Sequence, residues 1–231
     1  MTPAAVPILT IDGPSGSGKG TISRQVAREL GWELLDSGAL YRLVAVGAGR
    51  AGLGGDDIAA HAALAGNMRV RFSASPSGEE QIWLAGEDVT ALVRSEAAGN
   101  GASRVAAWEP VRDALLQRQR DFARAPGLVA DGRDMGTVVF PHAQLKIFLT
   151  ASADERARRR YNQLKDKGSG VSLAALSREI AERDERDTRR STAPLKPAED
   201  AHVVDSTALD IDQVVAQVMR LAAERGLRAS R

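Results

Sequence analysis

The sequence predicts an α/β fold, a doubly wound parallel sheet flanked by helices, and three observations carry that reading. Short apolar runs recur at Ile8–Ile11, Glu33–Asp36, Leu128–Asp131, Leu145–Thr150 and His202–Asp205. Most are near-continuous, the pattern of parallel strands buried on both faces. Longer stretches of helical character separate them, at 20–30, 39–49, 104–124, 153–167, 173–187 and 211–225, and such alternation is the signature of a parallel sheet. The third observation is a glycine-rich turn joining the first run to the first helix.

That turn reads Gly13-Pro14-Ser15-Gly16-Ser17-Gly18-Lys19-Gly20-Thr21. A strand that breaks into such a turn and then a helix brings backbone N–H groups round one point, and the positive helix end adds to the field. Gly13, Gly16 and Gly18 let the backbone come close to a polyphosphate, and Lys19 can reach its outer phosphates. One detail departs from G-x-x-x-x-G-K-[ST]: position 20 is Gly, and the hydroxyl comes one residue later at Thr21. A flexible Gly/Ser linker is the competing reading, but a linker rarely sits between an apolar run and a helical one.

The bounds agree with one sizeable soluble domain carrying an insertion. The chain has 231 residues, 43% hydrophobic and 26% charged. Its 31 Lys and Arg balance 30 Asp and Glu, which gives no argument for a nucleic-acid or membrane partner. It has no cysteine, so disulfides, thiolate metal sites and a Cys nucleophile are excluded. The three histidines, His61, His142 and His202, lack ligand spacing. No apolar run approaches the roughly 18 residues of a membrane span, and Met1–Pro7 has no basic region of a signal peptide. The expected location is the cytoplasm.

The second strand ends in Asp36-Ser37-Gly38-Ala39-Leu40-Tyr41-Arg42. Ligands of open parallel sheets sit beyond the carboxyl ends of the strands, which puts this turn near the phosphate loop. Ser37 can cap the next helix or bind a ligand. Arg42, one helical turn after Gly38, can point its phosphate-matching fork at the same crevice.

One region breaks the alternation. Met68–Phe72 and Gln81–Leu84, with Ser73–Gly78 between them, read as an antiparallel hairpin inside an insertion at 66–100. The connection is too short for a parallel crossover. The insertion either caps a substrate site or is a surface elaboration.

The third strand ends in Asp131-Gly132-Arg133-Asp134-Met135-Gly136-Thr137. An apolar strand finishing in Asp can hold a carboxylate near a magnesium–phosphate complex; an Arg133–Asp134 structural ion pair is the alternative. Further on, Arg156, Arg159 and Arg160 share one helix face at i, i+3 and i+4. Lys165, Lys167 and Gly168-Ser169-Gly170 follow. The run is either a solvated face or a flap that carries arginines to a transferring phosphate. Arg183, Asp187 and Arg190 fall on one stripe if helicity persists that far, suited either to a nucleotide or to helix salt bridges. Several arginine segments around one phosphate loop fit phosphoryl transfer, which needs positioning, a magnesium ion and positive charge rather than covalent help.

These residues resemble a known family. G-P-S-G-S-G-K-G-T is similar to the loop of nucleoside monophosphate kinases, where Gly characteristically precedes the Thr. Asp36–Arg42, Arg183–Arg190 and Ala130–Pro141 (A-D-G-R-D-M-G-T-V-V-F-P) resemble those of the bacterial cytidylate kinases, and the similarity runs from Ile8 to about Ala223. The resemblance implies a P-loop kinase fold with a five-stranded parallel sheet, an enlarged antiparallel β lobe for the acceptor at 66–100, and a helical lid at 154–170. It implies ATP-dependent phosphorylation of CMP and dCMP; the expected state of the protein is a monomer. A kinase for UMP or AMP, or a nucleotide-binding switch without turnover, is the alternative.

By that resemblance, Gly13–Thr21 bind ATP, with magnesium met by Thr21 directly or through water. The catalytic set is Lys19, Arg133, Arg156 and Arg159: Lys19 steadies the transferring group, Arg133 meets the acceptor phosphate, and the other two close over ATP. Ser37 and Arg42 meet the CMP phosphate, and Tyr41 lies beside the base. Ser103, Arg112 and Asp134 read the cytosine edge. Arg183 and Asp187 sit near the ribose, and Arg190 near the nucleotide. The cytosine assignment has a physical sense, because a carboxylate accepts from the exocyclic N4 amine, where uracil presents an oxygen.

Overall fold

A computed structural model describes residues 6–74, 80–165 and 172–229. Most of the hairpin turn read at Ser73–Gly78, together with Lys167 and the Gly168–Gly170 break, lies outside them. The described chain divides into two compact units, 1–36 with 119–231, and 37–118.

In chain order the elements are β1 (Ile8–Asp12), α1 (Lys19–Leu30), β2 (Glu33–Asp36), α2 (Ser37–Arg50), α3 (Ile58–Asn67), β3 (Val70–Ala74), β4 (Glu80–Leu84), β5 (Glu87–Asp88), α4 (Thr90–Val93), α5 (Glu96–Val105), α6 (Glu109–Arg120) and β6 (Leu128–Gly132). A π-turn at Met135–Val139 follows, then β7 (Leu145–Thr150), α7 (Ala153–Lys165), α8 (Leu173–Arg189), β8 (His202–Asp205) and α9 (Ile211–Glu224).

The first unit is built on a five-stranded sheet in the order β2-β6-β1-β7-β8, parallel throughout. Its central strands are apolar because both faces are covered, while the edge strands β2 and β8 keep exposed residues. Leu9, Ile11, Val129, Ile147, Leu149 and Val204 form one buried cluster with Val26 and Leu30 of α1 and Val218 of α9. The pairing brings the carboxyl ends of three strands level, with Asp36 opposite Asp131 and Asp12 opposite Gly132. The register therefore gathers Asp12, Asp36 and Asp131 on the edge where such sheets bind ligands.

The second unit joins helices to a small antiparallel sheet, β3-β4-β5. Val70 pairs with Leu84 and Phe72 with Ile82, so the hairpin expected from the sequence is present. Helices α2 and α5 pack closely enough that a Cβ on Gly101 would lie 2.7 Å from the Ala45 Cβ.

The expected helix 104–124 is in fact two. Helix α5 ends at Val105, and α6 starts at Glu109 with Pro110 in its first turn. Proline brings no N–H, which a first turn tolerates and a helix interior does not. Helix α3, capped where the Asp57 side chain accepts the Ala60 N–H at 3.0 Å, was not anticipated either. Among the described residues no helix is long and apolar enough to cross a membrane.

Candidate active site

The glycine-rich turn connects β1 to α1. A Cβ on Gly13 would fall 2.0 Å from the Leu149 carbonyl oxygen, so the chain leaves the sheet through a gap that admits no side chain. Gly16 and Gly18 take left-handed φ of 77° and 91°, open to glycine at little cost. Two arginines of α7 hold two of the loop's carbonyls. Arg156 donates to the Ser15 carbonyl at 3.0 Å and Arg159 to that of Ser17 at 3.3 Å.

Both arginines are anchored behind. Arg156 also donates to the Ala151 carbonyl and to the Asp184 carboxylate of α8, at 3.0 and 2.6 Å. Arg159 binds Glu155 at 2.8 Å and the Ser206 carbonyl at 2.5 Å. Arg158, whose side chain is 67% exposed, pairs with Glu155 at 2.5 Å. The arginine run thus serves the loop with two members, while a third faces solvent.

Lys19 is buried and folds back onto the loop, its Nζ donating to the Pro14 carbonyl at 3.1 Å. Burial is the main cause that holds its pKa well below the ordinary lysine value; the Arg133 charge adds to this, and Asp131 opposes it. Arg183 is pulled down to about 10, first by burial and then by Arg133. Lys19, Arg133 and Arg183 therefore repel one another in a desolvated place, although Asp187 draws Arg133 through a 3.1 Å Nε–Oδ2 contact. Crowded cations of this kind are relieved by an anion, and their cost is already met before it arrives.

The acidic side of the site is equally strained. Burial pushes Asp131 up to about 6, with Lys19 pulling it back. Asp12 rises to about 7 by burial, although the Gly136 N–H holds it down. Asp134 is buried, and Arg190, at the end of α8, brings its guanidinium within 3.9 Å of it. Helicity stops at Arg189, yet Arg190 stays in place because its Nε donates to the Ala193 carbonyl at 2.6 Å. Arg133 pairs with Asp187 across 54 positions of the chain.

The remaining expected residues belong to the second unit. Ser37 opens α2 and is buried, and Tyr41 on the same helix lies with its ring 5.8 Å from the Arg112 guanidinium. Arg42 donates to the carbonyls of Val93 and Ser95, both at 2.9 Å. Ser103 is buried on α5.

Sequence reasoning passed over Asp12, Asp184 and Ser206. Asp12 left a signal, since a carboxylate ending a strand buried on both faces carries a desolvation cost that needs a reason.

A parallel sheet whose central strand turns through a glycine-rich loop into a helix, with lysine and arginines gathered at the loop, defines a P-loop phosphotransferase of the nucleoside monophosphate kinase kind. A family model described as cytidylate kinase matches residues 9–224, and the chain belongs to the cytidylate kinase family. A cytidylate kinase of Pseudomonas putida is 59% identical over 222 residues, covering 96% of this chain and 97% of its own. One of Pseudomonas entomophila is 60% identical over 223 residues, covering 96% of each. Among solved structures, an uncharacterized protein from Eubacterium ventriosum superposes with a TM-score of 0.50 over 94% of this chain and 98% of its own. At 11% identity that is a likeness of fold alone.

Proposed function

We propose that the protein moves the terminal phosphoryl group of ATP to the phosphate of CMP or dCMP, giving CDP or dCDP and ADP. The observation that carries this reading is the trio Lys19, Arg133 and Arg183, mutually repelling cations in one desolvated place beside the buried pair Asp134–Arg190. A phosphate oxygen of the acceptor attacks the γ-phosphorus, and the bond to the β-phosphate's bridging oxygen breaks. The acceptor oxygen is already anionic, so no general base is required. Lys19 and Arg133 stabilise charge on the equatorial oxygens, the main requirement of this chemistry.

The other roles follow from the same reading. Gly13–Thr21 hold the ATP phosphates, and Arg156 and Arg159 keep that loop in shape and face its nucleotide. Ser37 and Arg42 bind the acceptor phosphate, Tyr41 lies beside the base, and Ser103, Arg112 and Asp134 read the cytosine edge. Asp187 takes the ribose with Arg183, and Arg190 supports the bound nucleotide. That Ser37, Tyr41, Arg42, Ser103 and Arg112 share one compact unit supports treating them as one acceptor set. Residues 66–100 would form the acceptor lobe and 154–170 the lid of a cytoplasmic monomer.

The residues present also fit a magnesium ion carried on ATP. Hard oxygen donors are at hand: the hydroxyl of exposed Thr21, and the Asp131 carboxylate, 3.3 Å from where a Cβ on Gly20 would sit. Magnesium of nucleotide sites takes few protein carboxylates besides phosphates and water. When bound it would neutralise charge on the β- and γ-oxygens.

Coupled ADP release with CMP, dCMP, UMP and AMP as acceptors tests the reading. CMP and dCMP should turn over best. Equal rates with UMP would sink the cytosine assignment, and ATP consumption independent of any monophosphate would favour a switch.

A further inference from the structure

Asp12 ends β1, and only 5% of it is exposed. Its Oδ1 accepts the main-chain N–H of Met135 and its Oδ2 that of Gly136, both at 2.8 Å. These N–H groups begin the π-turn, where a helical segment leaves its first donors without partners of its own. The residue at the cap position is Asp134, a type whose side chain ordinarily supplies the missing acceptor. Here the Asp134 side chain makes no capping hydrogen bond. The cap comes instead from Asp12, 123 positions from Met135 in the chain.

The same turn is fenced on its other sides. A Cβ on Gly136 would lie 2.9 Å from Thr10 Oγ1 and 3.1 Å from Lys146 Cδ, and one on Gly132 would lie 2.7 Å from Met135 Cγ. Asp12 is thus a two-pronged clasp on a turn with little room to shift. A buried carboxylate next to a polyphosphate loop is electrostatically unfavourable, and burial with the Asp134 and Asp131 charges already raises its pKa. Its two N–H bonds offset that cost.

We propose that Asp12 is a specificity-determining positioning residue: by capping the turn from β1 it releases the Asp134 carboxylate from capping and fixes where that carboxylate meets the acceptor's base. The inference rests on the reading of Asp134 as the cytosine partner. A residue that merely stiffened the sheet would lower activity toward all acceptors alike. One that sets the base reader changes the ratio between them.

The test compares kcat/KM for CMP and UMP, and KM for ATP, in Asp12→Asn, Asp134→Ala and the double variant. Asp12→Asn keeps the shape but turns an NH2 group toward a main-chain N–H. Losing one hydrogen bond to a charged group should lower the CMP/UMP ratio about tenfold and leave KM for ATP within about twofold. With Asp134 already replaced, Asp12→Asn should leave the ratio where Asp134→Ala put it. A collapsed ratio in Asp134→Ala beside an unchanged one in Asp12→Asn overturns this inference alone. An unchanged ratio in Asp134→Ala removes the base reading, and this inference with it. If Asp12→Asn does not fold, Gly136→Ala displaces the same turn from the Thr10 side with Asp12 intact. A lowered ratio there supports the inference, and an unchanged one overturns it.

Discussion

Arg156 joins the phosphate loop to α8: one guanidinium reaches the Ser15 carbonyl at 3.0 Å and the Asp184 carboxylate at 2.6 Å. The loop is therefore held through its main-chain carbonyls, with Arg159 adding a second grip at Ser17. Arg156→Ala breaks both links and leaves the partly exposed Asp184 without this partner. We expect a loss of about 2 kcal/mol, seen as a Tm lower by roughly 4–8 °C. KM for ATP should rise about tenfold or more, because a loosened loop must be ordered by its ligand. Unchanged ATP binding would remove the loop-holding role.

Lys19→Met tests the cation cluster. It removes a buried, depressed lysine, so far-UV circular dichroism should stay as it is. With one preorganised charge gone, kcat should fall about 100- to 1,000-fold. The CMP/UMP ratio should not move if Lys19 meets phosphate and not base, as proposed above. A ratio that shifts would mean that the lysine also arranges the acceptor.

Gly20 explains why the loop's hydroxyl comes late. A Cβ there would sit 3.3 Å from Asp131 Oδ2 and 3.8 Å from the Arg24 guanidinium. Gly20→Ala should fold, because helical positions favour alanine by about 1 kcal/mol. It should nevertheless lose activity, because Asp131 has to yield ground beside Lys19. Stability at or above wild type, with kcat reduced, is the expected pair of results. Full activity would show that Asp131 has slack.

The pH dependence of stability in the nucleotide-free protein follows from the buried acids. Asp12 has its pKa raised from 3.8 to about 7, so between those values the folded state holds more protons than the unfolded. Its share of stability is then largest at low pH and declines as pH rises through that window, by at most about 1.4 kcal/mol per unit. Asp131 acts in the same direction up to about 6. Lys19, lowered from 10.5, acts oppositely in the alkaline range, its penalty fading as pH rises toward 10.5. Urea unfolding at pH 5, 6 and 7 should show a smaller decline for Asp12→Asn than for wild type. Parallel slopes would contradict the raised pKa.

The central strands β1, β6 and β7 were legible because burial on both faces leaves near-continuous apolar runs, and β2, β7 and β8 keep the bounds that their residues suggest. The phosphate loop was legible because its chemistry dictates residue type at each position. Three features were not. The break between α5 and α6 falls in Ala106–Trp108, residues without a strong turn signal, so only Pro110 marks it. The clasp of Asp12 on Met135 and Gly136 depends on a strand pairing more than 100 residues away in sequence. The arginine run on α7 shows its residue types but not its targets, because Ser15 and Ser17 are held through main-chain carbonyls that look alike in every sequence.

That last feature bears on how such a loop can drift over generations. Arg156 and Arg159 grip atoms that every amino acid possesses, so the grip places no demand on the side chains at 15 and 17. The Ser17 hydroxyl is itself buried with no hydrogen-bond partner among the described residues. Alanine at 17 should therefore be carried at no cost, whereas any change at 156 falls on the loop at once. Selection on the loop's shape is displaced onto a helix that lies well over 100 positions further along the chain.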